Sequence, residues 1–170
     1  MNTNILKSKR EALKLKKMIL LLILAFNLNT FVKAQNKDDK QQIETIIKTI
    51  ALGWKEKDVE KTTKHYDDNV DWTNAFGDRM QSKEELKVLL KEIYSFDFVM
   101  KGKSESQYND ISFLTPKIAI IRSKTIVKGQ EWGDGTKMKD RHNHHLMVLQ
   151  KKDKEWKVIS HLISQAWTKI

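Results

Sequence analysis

Tyr66 to Gly77 reads YDDNVDWTNAFG. Three short polar residues, Asp67, Asp68 and Asn69, follow a stretch with helical spacing. Their side chains compete for nearby backbone groups, so they are predicted to end a helix running through Tyr66. Val70 to Phe76 then alternates. Val70, Trp72, Asn74 and Phe76 share one face of a predicted strand, and Asp71, Thr73 and Ala75 share the other. Gly77-Asp78 turns the chain. A helix that stops here and a half-buried strand that leaves it place Trp72 and Asn74 together on an inner face, which is expected to wall a pocket.

Working outward, Ile43, Ile46, Ile47, Ile50 and Trp54 recur at helical spacing and predict a first helix over about Asp39 to Lys55. Asp58 can cap a short second helix. Ser82 and Glu85 form a capping box ahead of Leu86, Leu89, Leu90 and Ile93, the buried stripe of a third helix reaching about Tyr94. After Ser95 the pattern changes. Phe96 to Ser106 reads as a strand, with Tyr108 to Phe113 as a second or its continuation. Pro116 marks a turn before the β-branched run Ile118 to Lys128. Gly133-Asp134-Gly135 marks a loop, His142 to Gln150 a strand, Lys152-Asp153-Lys154 a turn, and Trp156 to Trp167 a last strand. Helices first and an antiparallel meander after them predict an α+β fold, with the helices gathered on one face of a curved sheet.

The chain has 170 residues and a formal charge of +10. Residues 1–34 hold seven basic residues against Glu11, leaving 25 basic and 21 acidic residues in the remainder. A mixed, mildly basic surface of that kind does not predict nucleic-acid binding. Cysteine is absent, which excludes disulfides, thiolate metal sites and cysteine nucleophiles. Met18 to Phe26, MILLLILAF, is too short for a membrane span of about 20 residues. With its basic approach and the small residues Val32 and Ala34, it fits a signal peptide cut before Gln35; the alternative is an uncut N-terminal anchor. Residues 1–34 are therefore expected to be a leader and residues 35–170 a single exported domain, periplasmic or secreted, without stable membrane insertion.

The order of elements resembles the superfamily of nuclear transport factor two, ketosteroid isomerase and SnoaL-like polyketide cyclases. The carrying residues are YDDNVDW with Asn74 and Gly77, the FLTPKIAII run and the terminal KEWKVISH. The nearest likeness is to exported SnoaL-like proteins of the SgcJ/EcaC type. The resemblance covers roughly Gln41 to Trp167. It implies a conical α+β fold in which a strongly bent, mostly antiparallel sheet wraps three helices around an apolar pocket, and in many members a homodimer formed through the outer face of the sheet. The isomerases' tyrosine, carboxylate base and late-strand acid align near Ile50, Asn74 and Leu146, none of which performs that chemistry. The isomerase mechanism is not implied.

Candidate groups remain. Asn74 lies on an otherwise apolar face, where an unpartnered amide costs about 1–3 kcal/mol. It is expected either to orient a ligand or to bond within the protein. Trp72, Trp54, Ile159 and Ile163 are the expected pocket lining. His161, on the predicted face Ile159, His161, Ile163, Gln165, Trp167, and His144, in the run Arg141-His142-Asn143-His144-His145, are the candidate acid–base pair; His145 is expected to point outward. His142, His144 and His161 could hold zinc only if all three converged, and no metal is assigned. Asp67, Asp68 and Asp71 read as turn formers rather than paired catalytic carboxylates. There is no Gly-rich phosphate loop and no nucleophile elbow, so no cofactor is expected. The expectation is a protein that binds a small, apolar organic molecule, with acid–base isomerase, dehydratase or cyclase chemistry or, alternatively, non-catalytic binding or self-assembly on the same fold.

Overall fold

A computed structural model describes residues 17–18 and 37–167. The proposed cleavage point and all of the apolar run except Met18 lie outside the described residues. Among the described residues no helix is long and apolar enough to cross a membrane. Chain contacts divide the protein between Gln41 and Gln42, and the body from Gln42 onward is described here.

Helix α1 occupies residues 37–56, of which 42–56 belong to this body. It buries Ile43 and Ile46 from its predicted stripe. Gly53 is required by close approach: a Cβ there would lie 2.5 Å from the backbone nitrogen of Thr62. Helix α2 (Val59–Thr63) starts at Asp58, whose side chain accepts from the Lys61 amide at 2.8 Å. Helix α3 (Lys83–Ser95) starts at Ser82, which accepts from the Glu85 amide at 3.2 Å. Glu85 reaches back to the amide of Gln81, not to that of Ser82 itself, at 2.7 Å. Leu86, Leu90 and Tyr94 are its buried stripe.

Six strands form one mixed, open sheet. They are β1 (Tyr66–Thr73), β2 (Arg79–Met80), β3 (Lys103–Thr115), β4 (Ile118–Lys128), β5 (Arg141–Lys152) and β6 (Glu155–Trp167), in the order β2-β1-β6-β5-β4-β3. Only β1 and β6 pair in parallel. The β5–β6 hairpin turns at Asp153 (φ 46) and Lys154 (φ 75), the two positive angles that a two-residue type I′ turn requires. The α+β class and the order of elements are as expected.

Three local expectations change. The second helix stops at Thr63, and Tyr66 opens β1. The Val158 amide donates to the His65 carbonyl at 2.9 Å, so pairing with the last strand takes over where local spacing favoured helix. Asp67, Asp68 and Asn69 consequently lie within β1, across its register shift against β6. Asp67 pairs with Lys152 at 2.6 Å and Asp68 with Lys83 at 2.9 Å. Finally, the strand expected from Phe96 begins only at Lys103. Asp97–Met100 is a single helical turn, α4, followed by Gly102 at φ +90.

Registers define the inner face. Phe113, Ala119, Leu149, Val158 and Tyr66 form one row across five strands, and Ile111, Ile121, Met147, His161 and Trp72 form the next. All of these are buried except Ile111 and Phe113, which pack against the core at its edge. Helices α1 and α3 contribute to the same cluster.

Candidate functional site

His161 reaches the inner face because β6 is bulged. Val158 pairs with Leu149 and Ser160 with Val148, leaving Ile159 unpaired. The extra residue puts Val158 and His161 on the same side although three positions separate them. Simple alternation through Ile159 would have opposed them. Ile163 and Gln165 continue the inner face as expected, with Ile163 opposite His145 and Gln165 opposite Asn143.

On β5 the inner parity is His145, Met147, Leu149. Met147 and Leu149 are buried and Leu146 is 37% exposed. His144, the expected partner of His161, therefore lies on the opposite face, in register with Lys124 and Ser164. His142 shares that face, so the three imidazoles considered for zinc do not converge. Among the described residues no three His, Asp or Glu side chains gather to hold a metal. Leu146, aligned with the isomerase acid, also faces outward, with His145 and Met147 turned inward beside it.

The inner face instead assembles a chain of three titratable side chains. Tyr66 Oη lies 2.7 Å from His161 Nδ1, and His161 Nε2 lies 3.0 Å from His145 Nδ1. Tyr66 is 2% exposed and His161 5%, while His145 is half-buried. Trp72 meets the His161 ring edge-on at 6.2 Å, and the Tyr66 ring stacks on it at 6.1 Å. Burial, and secondarily the charge of His145, hold His161 well below the usual imidazole range. Burial likewise pulls His145 down to about 4, with the charge of His144 adding to the effect. Burial raises the Tyr66 phenol above its ordinary value. At neutral pH all three are uncharged.

Two proton orders satisfy the chain among neutral groups. In one, Tyr66 donates to His161 Nδ1, His161 carries its proton on Nε2 and donates to His145 Nδ1, and His145 holds its proton on Nε2 at the half-buried end. In the other, His145 Nδ1–H donates to His161 Nε2 and His161 Nδ1–H to the Tyr66 oxygen. The first order presents one oriented imidazole N–H backed by a buried relay.

The remaining expected site residues lie elsewhere. Strand β1 ends at Thr73, and Asn74 sits in the turn beyond it. Its oxygen accepts from the amides of Phe76 and Asp78, both at 2.9 Å, and its nitrogen donates to Asp78 at 2.7 Å. Phe76, expected on the inner face, is 79% exposed. Trp54 packs edge-on against Tyr94 at 5.2 Å, and Tyr94 bonds Thr62 at 2.8 Å. Two clefts open on the helical side. One of about 600 Å³ is lined by residues that include Thr49, Lys64, Lys83 and Lys87, and one of about 280 Å³ by Met80, Leu89 and their neighbours. Neither is lined by Tyr66, His145 or His161. Sequence reasoning missed Tyr66 and His145. Tyr66 was assigned to a helix end, and the apolar residues on both parities of β5 hid which histidine faces inward.

Comparison with family models gives no match, and comparison with curated protein sequences gives none. Solved structures do match. A Caulobacter vibrioides protein with a cystatin-like fold superposes with TM-score 0.66 at 14% identity, over 75% of this chain and 89% of that one. An NTF2-like protein of unknown function from Pseudomonas putida KT2440 gives 0.62 at 11%, over 75% and 87%. A ketosteroid isomerase-like protein from Erwinia carotovora atroseptica SCRI1043 gives 0.60 at 15%, over 74% and 95%. At these identities the likeness is one of fold. The chain has the NTF2-like fold, as its resemblance to that superfamily led us to expect.

Proposed function

Starting from an NTF2-like fold with a buried Tyr66–His161–His145 chain, we propose that this protein binds a small carbonyl-bearing organic molecule against His145. It polarises the carbonyl oxygen through the His145 Nε2–H. The observation carrying this reading is the hydrogen-bond chain itself. Two histidines whose pKa values are depressed by burial are poor cations, but a neutral imidazole carrying its proton on Nε2, the order in which Tyr66 donates, is an oriented donor toward developing negative charge. Such a donor serves isomerisation, dehydration or cyclisation without a cofactor. The ketosteroid isomerase-like neighbour in fold is consistent with that class. Ile163, in register with His145, supplies apolar wall. Export through the N-terminal leader remains part of the proposal.

The test is an NMR fragment screen of the isotopically labelled domain, read at the histidine ring nitrogens. Carbonyl-bearing fragments are expected to shift the His145 ring, and His145→Gln is expected to lose them while retaining a folded amide spectrum. A library in which no fragment perturbs His145 overturns the reading.

A further inference from the structure

Beyond His145 the inner face turns polar and ends at an arginine. Arg141 opens β5, four residues before His145 and on the same parity. Its Nε donates to Gln130 Oε1 at 2.6 Å and its Nη1 to Gln165 Oε1 at 3.3 Å. Both acceptors are neutral amides. Arg141 makes no ion pair with any described residue, although 11 ion pairs join other described residues. Nη2 bonds to no described residue. It is not sealed off either, since among the described residues no buried side-chain nitrogen or oxygen lacks a partner. The guanidinium is half-buried, and burial alone lowers its pKa, with no carboxylate opposing the shift. A partly desolvated cation fixed by two amides, with one terminal nitrogen left over, is an arrangement that an anion completes.

The surroundings indicate what carries that anion. Gln130 is 2% exposed and donates to the Phe98 carbonyl at 3.4 Å, which ties Arg141 to the α4 turn. The Phe98 ring lies 5.7 Å from that of Phe96 and 6.3 Å from that of Trp132, and the latter two are 40% and 45% exposed. Gly102 permits this closeness: a Cβ there would meet the Lys128 carbonyl at 2.4 Å and the Gln130 side chain at 2.8 Å. An exposed aromatic group and an arginine without an ion pair are therefore joined through Gln130. Along β5, Arg141 and His145 are about 13 Å apart at roughly 3.3 Å per residue.

Building on the proposed function, we infer that Arg141 is an anion subsite that anchors the carboxylate of a flat, apolar organic acid and directs its far end toward His145. Gln130 and Gln165 position the guanidinium fork, and Phe96, Phe98 and Trp132 offer the apolar surface beside it. The ligand class is an aryl carboxylate rather than a neutral hydrocarbon.

The probe pair is 2-naphthoate and the matched neutral 2-naphthamide, each titrated calorimetrically and by NMR into the full domain. The acid is expected to bind at least about tenfold tighter than the amide. Arg141→Gln should remove that preference while leaving amide binding unchanged, and Arg141→Lys should keep part of it. The wild-type acid-against-amide comparison stands even if Arg141→Gln fails to fold. Equal wild-type affinities, a preference that survives Arg141→Gln, or no naphthoate binding at several millimolar would each overturn the subsite. If both probes bind equally and still shift the His145 ring, the subsite falls and the carbonyl-polarising reading stands. If neither binds, the subsite falls alone, and the fragment screen decides the other.

Discussion

The two ends of the inner face are built on the same strands and differ in almost everything else. At one end, Ala119, Leu149, Val158 and Tyr66 lie 0–2% exposed in a single cross-strand row. At the other, Thr125, Asn143 and Gln165 form a half-buried polar row one step from Arg141. His161 and His145 stand where one becomes the other. The comparison teaches that the sheet is packed core at one end and half-buried polar surface at the other. The titratable groups sit at the boundary, buried enough to be neutral and next to the end at which the proposed ligand would enter.

The largest effect should come from breaking the apolar end. Leu149→Ala removes a fully buried side chain from the packed row and is expected to cost about 2–5 kcal/mol. Asn143→Ala at the polar end should stay within about 0.5 kcal/mol. Urea denaturation followed by tryptophan fluorescence measures both. Comparable losses at the two positions would mean that the polar end is also core, and the division drawn above would fail.

An intermediate effect belongs to the boundary. Tyr66→Phe leaves His161 Nδ1 without its hydrogen-bond partner inside the core, at a cost of about 1–3 kcal/mol. The His161 ring nitrogens should then report loss of the single tautomer. The same groups set an acid limb. Both histidines have folded pKa values below the unfolded 6.5, so the unfolded chain takes up protons first as pH falls. Their contribution is complete above pH 6.5 and is lost as pH falls from 6.5 toward about 4, where folded His145 takes up its proton. His65, depressed by partial burial, adds to the same window. The ion-paired carboxylates Asp67 and Glu155 lose their contribution only as pH falls through their unfolded values of 3.8 and 4.5, at the lower edge of that window and beyond. Thermal melts of wild type and His145→Gln between pH 7 and 4.5 should therefore diverge, with the wild type falling more steeply. Parallel curves would mean that His145 is not the buried neutral base of the chain.

Much of the fold was legible because its signals are local. A capping residue, a stripe of leucines or a Lys-Asp-Lys turn acts over a few residues, and each of Asp58, Ser82 and Asp153 does what its type favours. The site was less legible because its parts are assembled by register. The bulge at Ile159 decides where His161 points, and nothing in KEWKVISH announces it. Apolar residues on both faces of LMVL make His144 and His145 equivalent by pattern. Tyr66 was assigned to a helix because the β6 amide that captures His65 lies 93 positions further along the chain.

Asn74 carries a small expected effect and the sharpest contrast with the sequence reading. Alternation placed it beside Trp72 as a ligand group, yet its amide spends its oxygen on two backbone N–H groups and its nitrogen on Asp78. The hydrogen bonds of an exposed turn exchange readily with water, so Asn74→Ala should cost about 1 kcal/mol or less. Because the turn lies beyond the end of β1, the substitution should leave fragment-induced shifts at His145 unchanged. Trp72→Leu, by contrast, removes the edge packed against the His161 ring and should disturb the His161 ring signals. If Asn74→Ala weakened fragment binding as much as Trp72→Leu did, the turn would have to open in the bound protein, and the stretch from Tyr66 to Gly77 would contribute to the site along its whole length rather than only through its strand.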